Sequence, residues 1–166
     1  MNSPPPDADP ESVARAICLR LLSARARTRA ELATALRRRE VPDHAAEAVL
    51  DRFSEVGLID DASFAAAWVT SRHAGRGLAG RALAGELRSR GVAAETVAQA
   101  VAGLDHDTEL ATARRLVHRR LPALGSLDRQ VQFRRLAAML ARRGYSGELA
   151  IQAVREELAT PRGVAR

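Results

Sequence analysis

The stretch GLIDDASFAAAWVTSR, residues 57–72, sets two carboxylates side by side, Asp60 and Asp61, ahead of an apolar run that holds the sole tryptophan. Adjacent carboxylates could ligate a metal or share a proton. They could equally start a helix, because a carboxylate accepts hydrogen bonds from the free N–H groups of a first turn and faces the positive end of the helix dipole. A metal site needs further ligands. The nearest histidine, His73, lies about three turns along the same predicted helix, and no third ligand is evident. The pair is therefore read as the start of a helix bearing Phe64, Trp68 and Val69.

Other spacings also stop short of a reaction. GRGLAG, residues 75–80, formally matches G-x-G-x-x-G, but a dinucleotide fingerprint must follow a strand and open a βαβ unit. Here a helical stretch precedes it, so a flexible, basic inter-helix loop is expected, with Arg72, Arg76 and Arg81 close together. Three guanidinium groups of that kind suit a phosphate or a carboxylate cluster. His44, His73, His106 and His118 form no i,i+4 pair, no G-x-S-x-G elbow accompanies the serines, and no P-loop occurs. Cys18 stands alone, without a disulfide framework or a Cys-rich metal site. No catalytic residue, cofactor or metal is assigned.

The elements that carry these residues read as helices throughout. Hydrophobic residues make up 46% of the 166-residue chain but aromatics only 3%. A core of Ala, Leu and Val favours helices packed closely through small side chains. Asp9, Pro10 and Glu11 look like an N-cap, a first-turn proline and a first-turn acid. Thr28 and Glu31 have the spacing of a capping box. Pro42 and Asp43 then open a third helix with Val49, Leu50 and Phe53 on its apolar side. No stretch alternates like a half-buried strand. The N-terminus lacks a basic leader, and no apolar run approaches the ~18 residues of a membrane span. A soluble, cytoplasmic protein is expected.

The three-helix unit recurs. ELATALRRREVPDHAAEAVL aligns with ALAGELRSRGVAAETVAQAV and RLAAMLARRGYSGELAIQAV. Leu32, Leu83 and Leu136 correspond, as do Leu36, Leu87 and Leu140, then Arg39, Arg90 and Arg143, then Val41, Val92 and Tyr145. Periods of this length indicate tandem helical repeats that bury their faces on one another. The expected fold is all-α, with about nine helices in three units. The boundaries are a disordered tail 1–9, repeats 10–56, 57–104 and 105–158, and a basic tail 159–166.

The chain carries a net charge of +6, and all 26 basic residues are arginine. Codon usage in a high-GC genome accounts for the missing lysine, yet the charge still draws the protein to nucleic acid or acidic surfaces. Second helices are basic and third helices acidic, so an arginine stripe is expected beside an acidic one. The turns between them resemble helix-turn-helix units, but an acidic recognition helix would be repelled by DNA. Sequence-specific duplex readout is disfavoured, while nonspecific contact through the arginines stays open.

The opening stretch, followed by GRGLAGRALAGELRSRGV, resembles the RecX family of regulators of the RecA recombinase. The resemblance rests on Gly57 to Asp61, Phe64-Ala65, Trp68-Val69, Arg72, Gly77, Leu83, Glu86-Leu87 and Arg90-Gly91-Val92, with weaker similarity from about residue 14 to residue 158. It implies three three-helix repeats in an elongated, curved, right-handed helical array. It also implies a protein that binds the groove of the RecA–DNA filament and restrains its ATP hydrolysis, strand exchange and coprotease activity; a monomer is expected, since three stacked repeats can bury their cores without a partner. Family members have no accepted catalytic residues. Gly57, Asp60, Asp61, Phe64, Trp68 and Gly91 are then structural signature positions. Arg72, Arg76, Arg81, Arg88, Arg90, Arg142 and Arg143 are candidates for contact with the filament or its DNA. Glu40 stands where the other repeats have Gly91 and Gly144, so the first repeat is expected to end its second helix differently, through Pro42. The rival reading is a nonspecific nucleic-acid-binding helical module.

Overall fold

A computed structural model describes residues 8–160; the tails expected at 1–9 and 159–166 otherwise fall outside them. Among the described residues there are nine α-helices, one 3-10 turn and no strand. In chain order the helices are α1 (Pro10–Ala24), α2 (Arg29–Arg38), α3 (Asp43–Glu55), α4 (Asp61–Arg76), α5 (Gly80–Ser89), α6 (Ala94–Val101), α7 (His106–Arg120), α8 (Arg129–Arg142) and α9 (Gly147–Ala159). The 3-10 turn, Leu121–Leu124, follows α7.

The caps act where the residue types demand. Asp9 accepts from the Ser12 N–H at 3.1 Å, and Pro10 needs no partner at a first-turn position. Thr28 and Glu31 form the full reciprocal capping box of α2. Asp60 caps α4, accepting from the Ser63 N–H at 3.0 Å and from its hydroxyl at 2.8 Å. Those two bonds hold its carboxyl below the usual range. Asp61 reaches elsewhere: its Oδ1 accepts from the Arg29 N–H at 2.9 Å, so it caps α2 of the preceding repeat.

Each second helix ends in the same way. The N–H of Val41, Val92 and Tyr145 donates to the carbonyl of Leu36, Leu87 and Leu140 at 3.2, 3.1 and 3.2 Å. This is the six-to-one bond of a Schellman ending, which requires a left-handed residue just before its donor. Glu40, Gly91 and Gly144 supply it, at φ 57°, 80° and 91°. The expectation that Glu40 ends α2 differently is thus corrected: the Leu36 carbonyl still needs its donor, and the glutamate takes the left-handed conformation. A side chain there costs about 1–2 kcal/mol, against which glycine adds about 0.4–1 kcal/mol of unfolded-state entropy. Glu40→Gly is expected to stabilise the protein by about 0.5–1 kcal/mol, read as a raised urea midpoint at unchanged slope.

The chain divides into two compact units. One comprises residues 1–67 and 86–100, the other 68–85 and 101–166, so the division falls inside α4 and α5. In the first unit, Ala14 and Cys18 of α1, Leu32 and Leu36 of α2, and Ala45 and Leu50 of α3 are fully buried in one core. In the second, Ala113 and Val117 of α7, Leu136 and Leu140 of α8, and Ala153 and Val154 of α9 do the same.

Each unit also holds one joint between successive repeats, built to a common plan. In the first unit, Asp61 accepts from Arg29 N–H, the Thr28 hydroxyl donates to the Arg90 carbonyl at 2.7 Å, and Gly91 lies against Ala30. In the second, Glu109 accepts from Gly80 N–H at 2.7 Å, Ala79 N–H donates to the Arg143 carbonyl at 2.9 Å, and Gly144 lies against Ala82. The start of one repeat's second helix therefore receives a carboxylate and an Arg-Gly turn from the next repeat. Only glycine allows so close an approach.

Candidate interface

The arginines singled out above differ in what their side chains do. Arg72 of α4 stacks on Trp68, its guanidinium carbon 3.8 Å from the ring centroid, an attraction that also covers the ring's face. Arg90 is half-buried and pairs with Glu31 at 2.6 Å. Arg76, Arg81, Arg88 and Arg142 are exposed. Arg143 is half-buried, and its Nη1 donates to the Arg76 carbonyl.

Arg76 and Arg143 meet in the second unit because the α4–α5 loop is short and held. GRGLAG proves to be the end of α4, a three-residue loop 77–79 and the start of α5. Residues 77 and 79 are buried. The Tyr145 hydroxyl donates to the Gly77 carbonyl at 2.8 Å, and His73 Nδ1 donates to the Leu78 carbonyl at 2.8 Å. His73 Nε2 lies 3.0 Å from the Thr112 hydroxyl. The expectation of a flexible loop is corrected accordingly: its carbonyls are buried, so side chains of α4 and the α8–α9 turn satisfy them.

The same unit contains residues that sequence reasoning passed over. The run ARRLVHRR in α7 places two arginine pairs around the buried Leu116 and Val117. The first pair is engaged: Arg114 bonds Glu157 at 2.9 Å and Glu156 at 3.3 Å, and Arg115 donates to Thr112 at 2.8 Å. The second pair, Arg119 and Arg120, is exposed and has no carboxylate partner among the described residues. With Arg76 and Arg143 it lines an open recess of about 330 Å³, floored by Leu116 and Met139, and no acidic residue lines it. Arg119 and Arg120 occupy the last turn of α7, and Arg142 that of α8, where the negative end of the dipole favours cations. Their mark in the sequence is the doubled Arg-Arg pair within one helix.

Charge is unevenly divided. The first unit carries 11 arginines against 13 carboxylates, the second 15 against 7. The entire positive excess therefore belongs to the second unit. Among the described residues no group of three or more His, Cys, Asp or Glu could hold a metal ion, and no helix is long and apolar enough to cross a membrane.

Comparison with known proteins bears on the same repeats. The family models for the first, second and third three-helix domains of RecX match residues 14–53, 60–101 and 107–154. The chain is 66% identical over 145 residues to the regulatory protein RecX of Thermobifida fusca, covering 87% of this chain and 78% of that one. It is 59% identical over 153 residues to that of Streptomyces coelicolor, covering 92% and 81%. The crystal structure of RecX from Lactobacillus salivarius shares the fold at a TM-score of 0.85 and 16% identity, covering 92% of this chain and 99% of that one. Three repeats matched in order, with relatives this similar along most of their length, place the chain in the RecX family.

Proposed function

We propose that the protein is a negative regulator of the RecA recombinase. It binds in the groove of the RecA–DNA filament and restrains ATP hydrolysis, strand exchange and coprotease activity, and so limits recombination and SOS induction. It acts in the cytoplasm as a monomer, by occupancy and not by chemistry of its own. The observation that carries this reading is the ordered match of all three RecX domains, together with relatives that bear the name regulatory protein RecX.

Contact with the filament is assigned to arginine side chains. Arg76, Arg81, Arg88 and Arg142 are the exposed members, whose guanidinium forks match carboxylate and phosphate oxygens. Arg72, Arg90 and Arg143 contribute while held by Trp68, Glu31 and the Arg76 carbonyl. The test is ATP hydrolysis by the cognate RecA on single-stranded DNA as this protein is titrated in, with excess DNA as a control. Inhibition at substoichiometric amounts that persists in excess DNA is expected. Its loss once DNA is in excess would leave the rival reading, a nucleic-acid-binding module that competes for the strand. Charge reversal at Arg76 and Arg81 together is expected to weaken inhibition at least tenfold (about 1.4 kcal/mol,); an unchanged response would remove those two from the contact.

A further inference from the structure

The six residues GRGLAG, 75–80, hold three glycines, and glycine gives a chain more backbone freedom than any other residue. Left to themselves they would let Arg76, at the end of α4, and Arg81, at the start of α5, take many relative positions. The second unit ties them down. Three successive carbonyls each receive one side-chain donor: that of Arg76 from Arg143 Nη1, that of Gly77 from the Tyr145 hydroxyl, and that of Leu78 from His73 Nδ1. The next two N–H groups are taken as well, Ala79 by the Arg143 carbonyl and Gly80 by Glu109. The donors are themselves held. The Thr112 hydroxyl lies 3.0 Å from His73 Nε2 and accepts from Arg115 at 2.8 Å.

Burial accounts for part of this clamp. The carbonyls of buried Gly77 and half-buried Leu78 need protein donors. Arg76 is exposed, and water would satisfy its carbonyl nearly as well as a guanidinium does. A cation placed there also fixes where the end of α4 lies. We propose that His73, Arg143 and Tyr145 are positioning residues for the filament contact, which hold the α4–α5 loop so that Arg76 and Arg81 meet a partner at a fixed spacing. This role rests on the regulator reading above and adds preorganisation to it. The ordering of a glycine-rich loop is completed on folding, so binding need not supply it.

Two measurements on the full chain test the clamp. In the first, without RecA, nitroxide labels on Arg76→Cys/Arg81→Cys report the separation of the two positions and its spread by electron paramagnetic resonance. Cys18→Ala removes the one native thiol. Adding Tyr145→Phe, or Arg143→Ala, is expected to broaden the distribution with circular dichroism unchanged. An unchanged distribution in both would overturn the proposal. In the second, inhibition of RecA ATP hydrolysis is titrated at a temperature where every variant is folded. Tyr145→Phe is expected to raise the concentration for half inhibition about fivefold. Val154→Ala removes buried volume from α9 of the same unit and no bond to the loop, and should change that concentration less than about twofold. In an Arg76→Ala/Arg81→Ala background Tyr145→Phe is expected to add nothing, because it acts through those side chains. A full loss in that background, or an equal loss in Val154→Ala, would overturn positioning in favour of general loosening. Failure of the parent chain to inhibit RecA would overturn the regulator reading and the positioning role with it, whereas unchanged label distances beside normal inhibition would overturn the clamp alone.

Discussion

Gly144→Ala is expected to destabilise the protein by about 3 kcal/mol, a large share of the ~5–15 kcal/mol available to an ordinary domain. Two terms act together. The residue sits at φ 91°, a conformation that costs a side chain about 1–2 kcal/mol. A Cβ there would lie 2.6 Å from Ala82 Cβ and 2.9 Å from the Ala82 backbone nitrogen, and forcing two backbones apart adds about 1–3 kcal/mol. Gly91→Ala meets a softer obstacle, Ala30 Cβ at 2.3 Å with its Cα beyond at 3.8 Å. The double variant Gly91→Ala/Ala30→Gly therefore has room and should recover part of the loss, a coupling of about 1 kcal/mol. Gly144→Ala/Ala82→Gly should recover less, since the obstructing nitrogen remains. Chemical denaturation of these four variants and of the single variants Ala30→Gly and Ala82→Gly measures this, and purely additive losses at residues 30 and 91 would show that the close contact carries no energy.

The second large effect concerns the sole tyrosine. Tyr145 is buried, and its hydroxyl donates to the buried Gly77 carbonyl. Tyr145→Phe leaves that acceptor unpaired, at a cost of about 1–3 kcal/mol. Burial also pushes the phenol pKa up from 10.0 to about 12. The folded state thus holds the proton more tightly than the unfolded state does. The contribution is complete below pH 10 and is lost as pH rises through about 12. The stability gap between parent and Tyr145→Phe should accordingly narrow over that window. Because the chain has one tyrosine, the near-ultraviolet absorbance of tyrosinate reports this group directly. Titration in the ordinary range, with the protein still folded by circular dichroism, would show that the hydroxyl is open to water.

Much of the fold was legible without coordinates. The leucines at 32 and 36, 83 and 87, and 136 and 140 occupy the same heptad-like positions in each repeat, and all six are fully buried. Such periodicity survives because hydrophobic burial along a helix depends on spacing alone. The caps at Asp9, Thr28 and Asp60 were legible for a related reason: each bonds N–H groups within three residues of itself, so no distant partner is involved. The RecX motif likewise sits in consecutive residues, from the Gly57 turn through Val92.

What tertiary structure decided are the pairings over long separations. Asp61 looks like part of a local helix start, but its carboxylate serves the first N–H of α2, 32 residues earlier. Arg90 and Arg143 occupy equivalent repeat positions, yet one binds Glu31 and the other the Arg76 carbonyl, because the neighbouring repeat presents a carboxylate in one case and a loop carbonyl in the other. The arginines of α7 divide in the same manner. Arg114 finds Glu157, 43 residues away, while Arg119 and Arg120 find no acid among the described residues and line the recess with Arg76. The sequence by itself determined the helices, their caps, their repeat and their family, since these follow from residue type at short spacing. Which arginines are neutralised within the molecule and which stay exposed was decided by packing, which sets the charges that stand opposite each of them.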